Sequence, residues 1–121
     1  KNFLASNLHV IRPSLTVYRD GDISGVEFPV GSRRVDILAV EDEKDFVVIE
    51  LKVSKGYDRA IGQLLRYMGW IEQNLAEPDQ KVKGMIIARN ISDDLKLATS
   101  RIQDVELYEY ELSISLNRIE A

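Results

Sequence analysis

Two short stretches decide the fold: RRVDILAV at 33–40 and FVVIELK at 46–52. Both are dense in β-branched and aliphatic residues, and both read as strands. Along a strand, side chains alternate between the two faces of the sheet. In the second stretch Val47, Ile49 and Leu51 therefore share a wholly apolar face, expected to lie under a helix. Glu50 and Lys52 share the other face with Phe46 and Val48. In the first stretch a single acid, Asp36, stands between Val35 and Ile37. The polar run EDEKD at 41–45 reads as the hairpin turn between the two strands. Such a hairpin can carry Asp36 opposite the region of Glu50.

Working outward, residues 2–11 carry Phe3, Leu4, Leu8 and Ile11 at helical spacing and predict a short helix stopped before Pro13. Residues 15–19 predict a strand, and Asp20-Gly21-Asp22 the turn after it. Downstream of Lys52 an amphipathic helix is predicted from about Tyr57 to Leu75, ended by Pro78. VKGMIIAR at 82–89 predicts a buried strand. Ser92 is a candidate N-cap, with Asp93 and Asp94 in the first turn of a helix reaching about Ile102. Residues 105–110 predict a last strand, at an edge with one wet face. The order α-β-β-β-α-β-α-β implies an α/β fold, a mixed β-sheet flanked by helices.

Composition narrows the classes. A chain of 121 residues, 45% apolar and 30% charged, suits one globular domain over 1–121. No apolar run is long enough for a membrane span, and no signal-peptide pattern is present, so no membrane partner is expected. Cysteine is absent, which removes disulfides, thiolate metal sites and a cysteine nucleophile, and fits a reducing, cytoplasmic setting. The lone histidine, His9, excludes any site needing two imidazoles from one chain. The first residue is Lys1, not Met, so the chain is expected to be a fragment of a longer protein or truncated at its N-terminus. Net charge is −4, which argues against tight non-specific DNA binding by the domain alone.

The grouping of Asp36, Glu50 and Lys52 has a chemical use. Two carboxylates make a hard oxygen site suited to Mg²⁺ or Mn²⁺. Such an ion can polarise a phosphodiester and lower the pKa of a bound water. A neighbouring lysine can orient that water or offset charge in the transition state. Against this stands a plainer reading, a structural ion pair between Glu50 and Lys52 at a strand end. The residues alone leave both open.

The predicted helix at 57–75 adds a second line. Ile61, Leu64, Met68, Ile71 and Leu75 form the expected core stripe. Arg59, Gln63, Arg66, Tyr67 and Trp70 fall on a roughly opposite stripe. This mixture of cations, amide and aromatics suits phosphates and bases, with Arg59, Arg66 and Tyr67 as nucleic-acid contacts and Gln63 near the carboxylates. It is also compatible with an ordinary polar face. Gly62 and Gly69 are costly in a helix and predict close packing against the sheet.

RRVDILAV, IELK and AIGQLLRYMGW together closely resemble the C-terminal nuclease domain of NucS-type endonucleases, within the PD-(D/E)xK superfamily. The pattern is an Asp in a hydrophobic strand, an ExK strand about a dozen residues later, and a helix bearing QxxxY. The resemblance covers most of the chain and implies a restriction-endonuclease-like core. It places metal carboxylates at Asp36 and Glu50, a catalytic lysine at Lys52, and the helix motif at Gln63 and Tyr67. It also implies Mg²⁺- or Mn²⁺-dependent hydrolysis of phosphodiester bonds in DNA, at branched, mismatched or single-stranded sites, in repair or restriction.

Two departures matter. Such domains often carry an acid in the N-terminal helix facing the site, and Lys1 to Ile11 contains none. The separate N-terminal DNA-binding and dimerisation domain of NucS proteins also lies outside this sequence. Affinity for DNA is therefore expected from a homodimer or from a segment N-terminal to this chain. The competing expectation is a nuclease-fold module without activity, serving DNA binding or protein assembly. Glu27 could approach the metal from a neighbouring strand, and Arg33, Arg34 and Lys55 could contact phosphate, but these positions, with His9 and the Lys55-Gly56 joint, are read first as ordinary solvated or structural residues.

Overall fold

The computed structural model of the chain describes residues 2–52, 58–111 and 113–120. In chain order the elements are α1 (Asn2–Ala5), a 3-10 turn (Leu8–Val10), β1 (Leu15–Val17), β2 (Arg19–Asp20), β3 (Ile23–Ser24), β4 (Val26–Val30), β5 (Arg33–Glu41), β6 (Asp45–Lys52), α2 (Asp58–Asn74), β7 (Val82–Ala88), α3 (Asp93–Thr99) and β8 (Val105–Glu109). The α/β class and the mixed sheet are as predicted, and the strand count is larger. Ahead of β5 the sequence reading gave one strand; the chain makes four there.

The main sheet runs β1-β5-β6-β7-β8, with β4 also on β5. β5 and β6 form the antiparallel hairpin, registered from Ile37↔Ile49 to Glu41↔Asp45. β6, β7 and β8 are parallel, joined by crossovers that contain α2 and α3. β1 and β4 share one flank of β5: β1 pairs with residues 39–41, and β4 with residues between Arg33 and Ile37. Between them the chain leaves to make the small β2–β3 hairpin. It closes again at Leu38, whose C=O accepts the Tyr18 N–H and whose N–H donates to the Gly25 C=O. A Cβ on Gly25 would stand 2.1 Å from the Leu38 carbonyl oxygen, so only glycine fits that junction.

Each face of the sheet has its own apolar cluster. On one, Phe46, Val48, Leu38 and Ile86 pack under Ala60, Leu64, Tyr67 and Ile71 of α2 and Leu95 of α3. On the other, Val47, Ile49, Ile37, Ala39 and Met85 pack with Leu15 of β1 and with Leu8 of the N-terminal segment. The long helix α2 thus covers the face that also bears Glu50 and Lys52. The apolar face of FVVIELK lies under the short N-terminal turns. α2 comes close to β7 at Gly84, where an added Cβ would meet Met68 Sδ at 2.6 Å. Gly62 and Gly69 have no atom within reach of an added Cβ, so the prediction of close packing there is corrected.

Other boundaries differ for identifiable reasons. The N-terminal helix breaks at Asn7, whose side-chain amide donates to the Phe3 C=O at 2.8 Å while its own N–H turns to Leu4. The side chain has replaced the next helical rung. Ser92 caps α3 as predicted, with its hydroxyl accepting the Leu95 N–H. The helix ends at Thr99, beyond which the backbone tightens to i→i−3 bonds, the Arg101 N–H to the Ala98 C=O and the Ile102 N–H to the Thr99 C=O. β8 is an edge strand with both faces partly covered: Val105 and Leu107 pack against the helix-side cluster and Tyr108 and the following Tyr110 against the opposite one, while Glu106 and Glu109 are exposed. Among the described residues no helix is long and apolar enough to cross a membrane.

Candidate active site

The β5–β6 ladder stops at Ile37↔Ile49, one step before the register that would pair Asp36 with Glu50. The two carboxylates fill the missing rung. Glu50 Oε1 accepts the backbone N–H of Asp36 at 3.3 Å, and Asp36 Oδ2 accepts the backbone N–H of Leu51 at 2.8 Å. Each acid is therefore fixed by the strand that carries the other. Hydrogen bonds from backbone donors to charged acceptors are strong, and here the backbone holds both acids in fixed positions. Glu50 is buried, at 4% exposure, and is one of two buried charged residues among those described.

Lys52 follows Glu50 on the same face. Its Nζ lies 3.7 Å from Glu50 Oε2 and donates to Gln63 Oε1 at 3.3 Å. Because α2 packs on this face, Gln63 arrives within its first two turns, directly over the strand end. Asp36, Glu50, Lys52 and Gln63 are thus brought together as the sequence pattern required. Among the described residues no group of three or more metal-ligating side chains gathers. What converges is a pair of hard oxygen donors beside one ammonium. That set fits Mg²⁺ or Mn²⁺, ions commonly held by one or two carboxylates with the remaining positions left to water and phosphate oxygens.

The proposed contact stripe on α2 divides. Arg59 and Arg66 are exposed on the helix. Tyr67 is not: it is 4% exposed and packs in the core cluster with Leu64 and Ile71. Its ring occupies the position i+7 from Ala60, so the core stripe is turned from the one the sequence suggested, and Tyr67 leaves the list of DNA contacts. Trp70 packs against the same cluster, its ring 6.4 Å from that of Phe28 in an edge-to-face contact. Arg33 and Arg34 are exposed at the β4–β5 hairpin, and His9 is exposed on the N-terminal segment. Lys55 and Gly56 lie outside the described residues. α1 brings no acid to its first turn.

The sequence reading missed a second charged cluster. Glu41, read as part of a polar turn, is buried. It accepts from Lys83 Nζ at 2.8 Å and from the Ser14 hydroxyl at 3.2 Å, and Arg12 Nε lies 2.7 Å away. Arg12 in turn donates to Glu106 at 2.9 Å. The Lys83 hydrogen bond, aided by the charges of Arg12 and Lys83, outweighs burial and holds the Glu41 carboxyl below its ordinary value. The same hydrogen bond raises Lys83. Five residues along β5 from Asp36, roughly 17 Å at strand rise, this network closes the opposite end of the hairpin. No local pattern announces it, because its partners come from β1's approach, β7 and β8.

The sequence model for the family described as "Endonuclease NucS C-terminal domain" matches residues 9–113. This chain belongs to that family. Endonuclease NucS of Pyrococcus furiosus is 33% identical over 70 residues, 58% of this chain and 25% of that protein. The NucS-like fold recurs in the crystal structure of a repair endonuclease from Pyrococcus abyssi, with a TM-score of 0.71 and 24% identity over 91% of this chain. A structure of an EndoMS–double-stranded DNA complex superposes with a TM-score of 0.72 at 21% identity, covering 94% of this chain. The chain spans 44% of each of these two solved chains. The match is thus to the NucS C-terminal domain, and it takes in all four residues of the site.

Proposed function

We propose that this NucS C-terminal domain is a PD-(D/E)xK-type nuclease that hydrolyses phosphodiester bonds in DNA with Mg²⁺ or Mn²⁺. The observation that carries the reading is the reciprocal anchoring of Asp36 and Glu50 beside Lys52. A purely structural Glu50–Lys52 pair gives no reason for a second carboxylate to displace a sheet rung at the same point. NucS of P. furiosus and the P. abyssi repair endonuclease are named as endonucleases, and the EndoMS neighbour was solved on double-stranded DNA. These support DNA as the substrate.

Asp36 and Glu50 would hold the cation, which when bound supplies Lewis acidity at the phosphate and a more acidic water. Lys52 presents a positive charge to the phosphate and to the oxyanion charge that grows on it. Gln63 accepts a hydrogen bond from Lys52 and so fixes where that charge sits. Burial of Glu50 under α2 keeps the anionic side chain in one position and limits competing water. Exposed Arg59 and Arg66 would take phosphates on either side of the scissile bond. With a net charge of −4, affinity for DNA would draw on a homodimer or on a domain N-terminal to this one.

The experiment is calorimetric titration of Mn²⁺ into wild type and Asp36→Ala, with cleavage of labelled DNA followed in parallel. Binding by wild type that Asp36→Ala abolishes, with cutting, is the expected result. Absence of Mn²⁺ binding by wild type would instead favour a nuclease-fold module that binds DNA or protein without activity.

A further inference from the structure

Four non-glycine residues among those described have positive φ. Asp42 and Glu43 form the β5–β6 turn, and Asp104 precedes β8. The fourth, Glu27 (φ 52°), lies inside a strand, β4. A left-handed residue within a strand is rare for an amino acid with a side chain, costs conformational energy, and interrupts the side-to-side alternation.

The interruption has a counterpart across the sheet. β4 and β5 pair at Val26↔Ile37 and at Phe28↔Val35, but the intervening Glu27 and Asp36 form no rung. Val35 and Ile37 are two residues apart, yet Val35 packs in the α2-side cluster and Ile37 in the opposite one. β5 therefore reverses its facing at Asp36, at the level where β4 turns left-handed. On the far side of Asp36 the β5–β6 ladder stops at the same level. At Asp36 neither ladder carries a bridge pair; its N–H donates to the Glu50 carboxylate and its own carboxylate accepts the Leu51 N–H.

We propose that Glu27 is a positioning residue for Asp36 and acts through its left-handed backbone. A regular β4 would pair with Asp36, restore the alternation of β5, and draw the Asp36 carboxylate off Leu51. The proposal rests on the reading that Asp36 holds the cation.

The test uses the whole chain with Glu27→Gly, Glu27→Asn, Glu27→Ala and Glu27→Val, and two readouts. The first is Mn²⁺ affinity by calorimetry. The second is hydrogen exchange of the Leu51 amide, which needs no metal. Glycine and asparagine remove the carboxylate but accept positive φ; both should keep Mn²⁺ affinity within about twofold of wild type and keep Leu51 protected. Valine resists positive φ and should weaken Mn²⁺ binding by roughly tenfold or more and speed Leu51 exchange, with alanine between. Alanine also keeps the series informative where valine fails to fold. Loss of binding in glycine and asparagine as severe as in valine would overturn the proposal in favour of the carboxylate. Wild-type behaviour in alanine and valine would overturn it outright. Where wild type binds no Mn²⁺, the nuclease reading fails separately, and the ordering of Leu51 exchange still decides whether Glu27 positions Asp36.

Discussion

Asp36 and Glu50 exchange backbone hydrogen bonds through their carboxylates: Glu50 Oε1 takes the Asp36 N–H, and Asp36 Oδ2 takes the Leu51 N–H next to Glu50. Two acids that would repel are held together by donors belonging to the sheet itself. The site is in this sense a broken rung, and its side chains are part of the ladder they interrupt. Substitutions there should separate metal binding from folding.

Asp36→Asn keeps an acceptor for the Leu51 N–H and should melt at or above wild type while losing Mn²⁺ binding. Asp36→Ala orphans that part-buried donor and should cost about 1–3 kcal/mol as well. Thermal denaturation alongside calorimetry checks both. Equal destabilisation by asparagine and alanine would mean that the Leu51 hydrogen bond contributes little.

Gln63→Ala removes the group that Lys52 donates to at 3.3 Å. The expected effect is a fall of about 10–100-fold in kcat, the scale found for partners that orient a metal-site residue, with Mn²⁺ affinity nearly unchanged. Single-turnover cleavage at saturating Mn²⁺ measures it. A loss confined to Mn²⁺ affinity would place Gln63 on the ion instead of on the lysine.

Two glycines should respond oppositely to alanine. At Gly84 the new Cβ meets Met68 Sδ at 2.6 Å and Leu64 at 3.0 Å, so α2 must shift or the side chains repack, at a cost of about 1–3 kcal/mol. At Gly69 nothing lies within 4 Å, and alanine should stabilise by about 0.5–1 kcal/mol through better helix propensity. Urea denaturation of the two variants gives the comparison directly. A stabilising Gly84→Ala would contradict the close helix–strand contact.

The Glu41 network predicts a pH dependence of definite sign. Glu41 is held below its ordinary 4.5, so its contribution is complete above that value and disappears as pH falls through the depressed one. Lys83 is raised above its ordinary 10.5, so its contribution is complete below that value and disappears as pH rises through the raised one. Glu41→Gln should therefore lower stability at neutral pH by roughly 2 kcal/mol, discounted for the partial exposure of Arg12 and Lys83, and flatten the acid limb of a plot of Tm against pH. An unchanged acid limb would assign acid sensitivity to other carboxylates.

Much of the site was legible in the sequence because long strands print their facing in alternation. β5, β6 and α2 were found, and with them Asp36, Glu50, Lys52 and Gln63. β4 was not predicted, and Pro29 inside Val26–Val30 counts against a strand there. Pro29 is tolerated because β4 pairs on one side only, with β5. β2 and β3, two residues each, carry no period at all. Tyr67 misled because it was grouped with Arg59, Gln63 and Arg66 on one stripe, whereas burial of its ring puts it on the core side of the helix. Glu41 looked like one acid in a turn of acids, and its partners lie far along the chain.

The most direct test of the central claim is cleavage of a labelled DNA panel (single-stranded, duplex, flap and mismatched), with and without Mn²⁺, by wild type and Lys52→Ala. Mn²⁺-dependent cutting by wild type that is lost in Lys52→Ala while Mn²⁺ binding survives is the expected result. Cutting that is undiminished in Lys52→Ala would contradict the assignment of the Asp36–Glu50–Lys52 cluster as the catalytic centre.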